Sequence, residues 1–172
     1  LNTLVIINGR LISTDIIESD KKIEINLISD VLQNNDPLLN SLKHTHSSNP
    51  FLIMNSAHLS DGIHIRIPKN MHCKRPIYIT SISSDKMEFH SNYSRIHIHS
   101  ESGSQVTIIE HNIYSNHGKY YKNKVLQLNA EANSTIEHIK LTEDSSDSYS
   151  MNNLIIDQSQ GSTVISNNYY LG

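Results

Sequence analysis

The stretch "SESGSQVTII" at 100–109 returns in outline as "AEANSTIEHI" at 130–139 and as "DQSQGSTVIS" at 157–166. Aligned on Ser104, Ser134 and Ser162, each copy has a turn-forming residue just before the serine (Gly103, Asn133, Gly161). Each also has a β-branched residue two places after it (Val106, Ile136, Val164). Even spacing of strands alone would suit an antiparallel sandwich or barrel, and chance repetition is the plain competitor in a chain so rich in Ser, Asn and Ile. One corner rewritten every 28 to 30 residues is better explained by a solenoid. In a parallel β-helix the equivalent strand of the next coil lies about 4.8 Å away. The chain must then bend at the same place each time, which selects Gly or Asn, and the serine hydroxyl is placed to satisfy a loose backbone group. The β-branched residue points inward and stacks on its counterpart. At roughly 1.5–3 kcal/mol per buried Ile or Val, such a ladder dominates the stability.

Composition agrees. Of 172 residues, 37% are apolar, with no Trp and two Phe, so a core must come from Ile, Leu and Val, which favour pleated surfaces. The length suits one domain. A net charge of −3 with scattered Lys and Arg gives no footprint for nucleic acid or for anionic lipid. The single cysteine, Cys73, excludes an internal disulfide and a Cys-only metal cage, and points to a reducing, cytoplasmic setting. "LVII" is far too short to span a bilayer. The first residue is Leu1 and the last letters, "YYLG", follow directly on a strand-like run, so the chain is expected to be an internal piece of a longer protein.

Two regions follow. Residues 1–49 read as a hairpin with Asn8-Gly9 at its turn, then a short strand that becomes helical, with Leu32, Leu38, Leu39 and Leu42 near one face and a restart at Asp36-Pro37. "HTHSSNP" is polar punctuation. Residues 50–172 read as the β-helix core, truncated at its C-terminus; from Phe51 onward the helical period gives way to alternation. Ile63, Ile65 and Ile67 oppose His64 and Arg66; Ile77 and Ile79 oppose Tyr78 and Thr80; Ile96 and Ile98 point inward. The class is all-β: a parallel β-solenoid with a short α/β N-terminal segment.

Three sets of residues invite chemistry. Cys73, beside His72, has the element needed of a sulfur acceptor, against the reading of a small apolar residue in a turn. His97 and His99 share a strand face to which His64, His111 or His138 come near in a parallel stack. The alternation that buries Ile96 and Ile98 turns those histidines to solvent, so no metal site is expected. Glu101, Glu110, Glu131 and Glu137 supply candidates for the paired carboxylates of a carbohydrate-active β-helix enzyme. Tyr78, Tyr93, Tyr114, Tyr120 and Tyr121 are expected in loops, which leaves that alternative without an aromatic platform, and solvated corner charges are the favoured reading. No Gly-rich phosphate loop, G-x-S-x-G or H-E-x-x-H motif occurs.

In order, "NPFLIMNSAHLSDGIHIRIPKN", "RPIYI", "SGSQVTIIEH", "LNAEANSTIEHIKLTED" and "NNLIIDQSQGSTVISNNYYLG" resemble the core of the SufB/SufD family of iron–sulfur cluster assembly proteins, over about residues 50–172. The likeness is to the SufD branch, through "HIKLTEDSSDSYSMNNLIIDQSQGS" and through the lack of SufB's cysteine-rich features. The resemblance implies a right-handed parallel β-helix flanked by helical regions. It also implies a non-enzymatic scaffold subunit that pairs with a SufB-like paralogue and is gripped by a SufC-like ATPase. An iron–sulfur cluster is implied for the full complex and no cofactor for this segment. Cys73 lies where SufB-like sequences carry a cysteine after a "PKG" motif, here Pro68-Lys69-Asn70, which makes it the sulfur-relay candidate. The family's cluster and partner residues lie beyond position 172, so no catalytic, cofactor or metal residue carries over. A last coil with bare strand edges is expected to self-associate.

Overall fold

A computed structural model describes residues 1–17, 20–33, 48–59, 61–83, 89–114, 119–144 and 147–171. From residue 61 the chain alternates between two sheets. In the first, β4 (Asp61–Ile67), β6 (Phe89–Ser100), β8 (Lys119–Ala130) and β10 (Ser148–Gln158) pair in that order, all parallel. In the second, β5 (Ile77–Ser83), β7 (Gln105–Tyr114), β9 (Thr135–Glu143) and β11 (Thr163–Tyr170) do the same. Four strand pairs therefore stack as a parallel β-solenoid. Val106 registers with Ile136, and Ile136 with Val164, in one aliphatic column. Beside it Ile63, Ile96, Leu126 and Leu154 form another across the first sheet.

The corners work as their spacing predicts. In the turns Glu101–Ser104, Glu131–Ser134 and Ser159–Ser162 the last N–H donates to the first carbonyl at 3.0, 3.1 and 3.1 Å. Each serine hydroxyl donates to the same carbonyl, at 2.5, 2.7 and 2.8 Å. Gly103, Asn133 and Gly161 hold φ of +71°, +58° and +71°, a region costly for residues with a Cβ and least so for Asn. The first coil turns through a longer segment between β4 and β5, in which Asn70 holds φ +58°. Along the stack the left-handed positions thus alternate Asn70, Gly103, Asn133, Gly161, and the alternation is steric. A Cβ on Gly161 would lie 2.5 Å from Asn133 Oδ1, and one on Gly103 would meet Asn70 Oδ1 closer still. Each asparagine amide occupies the space that the next coil's glycine leaves empty.

The N-terminal segment caps the first coil. β1 (Asn2–Ile7) and β2 (Arg10–Asp15) form the hairpin, with Asn8 and Gly9 at φ +49° and +83° as a type I′ turn requires. β1 lies parallel beside β5, and β3 (Glu24–Leu27) lies antiparallel beside β4. α1 (Ile28–Gln33) follows β3 as expected, whereas Asp36-Pro37, Leu38, Leu39 and Leu42 fall outside the described residues.

One expectation fails here. The chain does not leave helix at Phe51, because α2 spans Pro50–His58. Its start is written in "SSNP": Asn49 is the N-cap, accepting from Phe51 N at 2.9 Å, and Pro50 opens the first turn. It shows no apolar period because Phe51, Ile53 and Met54 are exposed and Asn55 is its buried anchor. The Asn55 amide donates to the carbonyls of Ser94 and Asn123 and accepts from Arg95, fastening the helix to β6 and β8. Among the described residues no helix is long and apolar enough to cross a membrane.

Candidate functional site

The corner residues fix which side chains enter the solenoid. Counting in twos from Val106 brings Ile108, Glu110 and Asn112 inside; counting from Ile136 brings in His138, Lys140 and Thr142, and all are buried. Ile109, Ile139 and Leu141, which alternation read from the apolar letters would send inward, face out and are half-buried. Lys122 and Lys124 enter from β8. The interior of the later coils therefore holds the charged Glu110, Lys122, Lys124 and Lys140, against the pattern that builds the rest of the core. A departure of this kind needs local compensation and marks a candidate site.

The compensation is specific. Lys124 Nζ lies 3.1 Å from Glu110 Oε1 and donates to Asn112 Oδ1 and Ser81 Oγ, both at 3.0 Å. Asn112 donates to Glu110 Oε1 at 2.6 Å, and His138 Nε2 stands 3.4 Å from Glu110 Oε2. Burial pushes the Glu110 carboxyl up, but Lys124, His138, Lys140 and Asn112 outweigh it and hold the group well below the ordinary carboxylate range. Beside this cluster Lys122 Nζ is 2.8 Å from Asp144 Oδ1, to which Tyr120 also donates at 2.7 Å. Burial likewise works against the Asp144 charge, and Lys122 overcomes it. Lys140 is held less well. Its nearest ion-pair contact, Glu110 Oε1, is 4.0 Å away, and burial pulls its ammonium down to about 8. Between the third and fourth coils a cavity of about 100 Å³ opens onto Lys140, His138, Leu126, Asn152, Asn153 and Asn168.

The residues singled out from sequence fall elsewhere or play other parts. Cys73 packs against the core, and burial, with Asp20, pushes its thiol up to about 12, which works against the thiolate that a sulfur relay needs. Glu101 accepts from Lys69 N at 2.7 Å and from Arg66; Glu131 accepts from Ser102 N at 2.9 Å and pairs with His99 at 2.9 Å. Each corner glutamate thus fastens the backbone of the preceding corner, rather than standing as a solvated charge. Glu137 accepts from Thr107 at 3.1 Å, and Glu110 is enclosed with lysines.

The histidines are not turned to solvent as alternation suggested. His64 and His97 are 1% and 0% exposed. They lie on the outer face of the first sheet, on which α1 and α2 pack, with their Nδ1 atoms 3.0 Å apart. His138 is inside the coil, and His111 contacts Tyr78 OH and Glu143. Among the described residues no group of three His, Cys, Asp or Glu is arranged to hold a metal ion. The tyrosines are on strands, not in loops: Tyr114 stacks on Tyr120 at 4.4 Å, and Tyr93 leans on Tyr121 at 5.9 Å. Sequence reasoning missed Lys122, Lys124, Lys140 and Asp144. The signal was the corner itself, since carrying its phase from Ile136 along β9 puts Lys140 inside.

A family model described as "SUF system FeS cluster assembly, SufBD core domain" matches residues 80–172. No curated protein matches the chain.

Proposed function

The chain belongs to the SufBD core family of the SUF iron–sulfur cluster assembly system, and from this we propose that it is a SufD-type scaffold subunit, working in the cytoplasm. In this reading it pairs with a SufB-like paralogue and is gripped by a SufC-like ATPase that does the nucleotide work. The observation that carries the reading is the match itself, which runs from β5 through the last three coils. The assignment to the SufD branch is supported by the segment at 138–162 and by the single cysteine. The lack of a phosphate-binding loop in the sequence accords with leaving ATP to a partner. The carbohydrate-active alternative loses support because Glu101 and Glu131 are engaged by corner backbone. Cys73 has no relay role in this proposal, because its thiol is held far from ionisation.

The test is co-expression of the full-length protein with SufB-like and SufC-like partners, followed by co-purification and cluster reconstitution. The expected result is a stable complex of all three, with cluster yield unchanged by Cys73→Ser. Failure to co-purify with either partner overturns the scaffold reading. Loss of cluster with Cys73→Ser in an intact complex overturns the reading of Cys73 alone.

A further inference from the structure

The two sheets of the solenoid have outer faces of opposite character. The first is the one on which α1 and α2 pack, and its central outward positions are polar, with His64, His97 and Gln127 in one row. Neither helix packs on the second sheet, yet its outward positions are largely apolar. Tyr78, Ile109 and Ile139 register in one row, and Leu141 and Tyr169 pair in the next. Ile109, Ile139 and Leu141 are half-buried, while Ile165 and Tyr169 on β11 are 48% and 52% exposed. A contiguous apolar patch of this kind on an open sheet face marks a place where another surface packs.

The patch also has a sign. At the outward positions of β5, β7, β9 and β11 the carboxylates are Glu137 and Glu143, and no Lys or Arg stands among them. Both lie on β9, one on either side of Ile139 and Leu141. Each is steadied on the face, Glu137 by Thr107 at 3.1 Å and Glu143 by His111 at 2.7 Å. A second copy of this face would set carboxylate against carboxylate, so charge complementarity selects a basic partner instead. The backbone groups of these strands are used within the sheet, and what docks on its face does so through side chains. From Glu137 to Glu143 the strand rises about 20 Å, which is the length of about 13 residues of helix. A helix lying along the strands therefore covers the apolar strip and reaches both carboxylates with its ends.

We propose that the outer face of the second sheet docks a basic amphipathic helix of a partner protein, with its apolar stripe on Ile139 and Leu141 and a lysine or arginine against each of Glu137 and Glu143. The inference stands on the polarity and charge of this face, and does not depend on the assembly role.

The probe is a fluorescein-labelled peptide of about 14 residues, leucine and lysine in helical amphipathic order, titrated with the full chain and followed by fluorescence anisotropy. Its counterpart carries glutamate in place of every lysine. The lysine peptide is expected to bind saturably and to weaken with salt, and the glutamate peptide is expected not to bind. Ile139→Lys puts a cation in the middle of the strip and is expected to weaken binding roughly tenfold or more. Ile165→Lys, at an exposed position, gives the same direction of change should Ile139→Lys fold poorly. Glu137→Gln/Glu143→Gln is expected to weaken binding roughly fivefold and to flatten its salt dependence. Ile53→Lys, on the exposed side of α2, is expected to change nothing. Equal binding of the two peptides, absence of saturable binding, or a folded Ile165→Lys protein that binds as the wild type does overturns the proposal.

Discussion

Replacing Gly103 with alanine tests the corner ladder at its tightest point. Two costs arise. Gly103 sits at φ +71°, where a Cβ costs roughly 1–2 kcal/mol. The new methyl would also press on Asn70 Oδ1, closer than the 2.5 Å found at the equivalent Gly161–Asn133 position. The amide is the end of a flexible side chain, so it swings aside, at about 0.5–1.5 kcal/mol for a strained rotamer. The sum is roughly 1.5–3.5 kcal/mol, read as a shift in the urea midpoint followed by far-UV circular dichroism. The double variant Gly103→Ala/Asn70→Gly separates the two costs. Asn70 holds φ +58°, where glycine is at ease, so removing its amide relieves the clash and leaves the backbone cost. A coupling energy of about 0.5–1.5 kcal/mol in the double-mutant cycle is expected. Gly103→Ala with stability within about 0.5 kcal/mol of wild type, or a cycle that is strictly additive, refutes the steric ladder.

Three further outcomes follow from the same structure. Lys124→Met strands the buried Glu110 carboxylate and is expected to cost about 3–5 kcal/mol in chemical denaturation, most of it regained in Lys124→Met/Glu110→Leu; an unchanged midpoint in the single variant contradicts the buried pair. Burial, with His64, His99 and Arg95 nearby, lowers His97 to about 3, so it stays neutral when folded and takes a proton when unfolded. Its contribution is present above pH 6.5 and is lost at about 1.4 kcal/mol per pH unit as pH falls toward 3. A His97→Leu protein is expected to lose that part of the acid slope, and an identical slope rejects the assignment. The fourth coil leaves Leu154, Ile156 and Tyr170 at 40%, 40% and 64% exposure, so residues 1–172 are expected to associate through that end in light scattering and Ile156→Lys to reduce it; a strict monomer at high concentration contradicts this.

The sequence carried the fold at its corners and lost it where the chain departs from alternation. Ser104, Ser134 and Ser162 mark turns that recur because stacked coils must bend in register, so architecture, column and hairpin could all be read from letters. Asn70 was not recognised as a fourth member because its corner is longer and lacks the serine. α2 was missed because it is held by the Asn55 amide, not by an apolar stripe. The charged interior was hidden by its neighbours. In "VTIIEHNIY" and "TIEHIKLTE" apolar letters sit on both phases, and only stacking on Val106 and Ile136 decides that Glu110 and Lys140 go in while Ile109 and Leu141 stay out. The nearest cation to Glu110, Lys124, comes from the other sheet, where no local pattern reports it.

The most direct test of the parallel stack is a disulfide across neighbouring coils. Thr107 and Glu137 register side by side on β7 and β9, with their side chains in contact at 3.1 Å. In a Cys73→Ser background, Thr107→Cys/Glu137→Cys is expected to oxidise to an intramolecular disulfide, since adjacent strands place Cα atoms within the 4.4–6.8 Å that such a bond usually spans. The offset pair Thr107→Cys/Leu141→Cys, separated by a further four residues along the strand, is expected to stay reduced. Mass spectrometry showing the reverse, or no crosslink in the registered pair, contradicts the stacked coil and with it the placement of every interior charge.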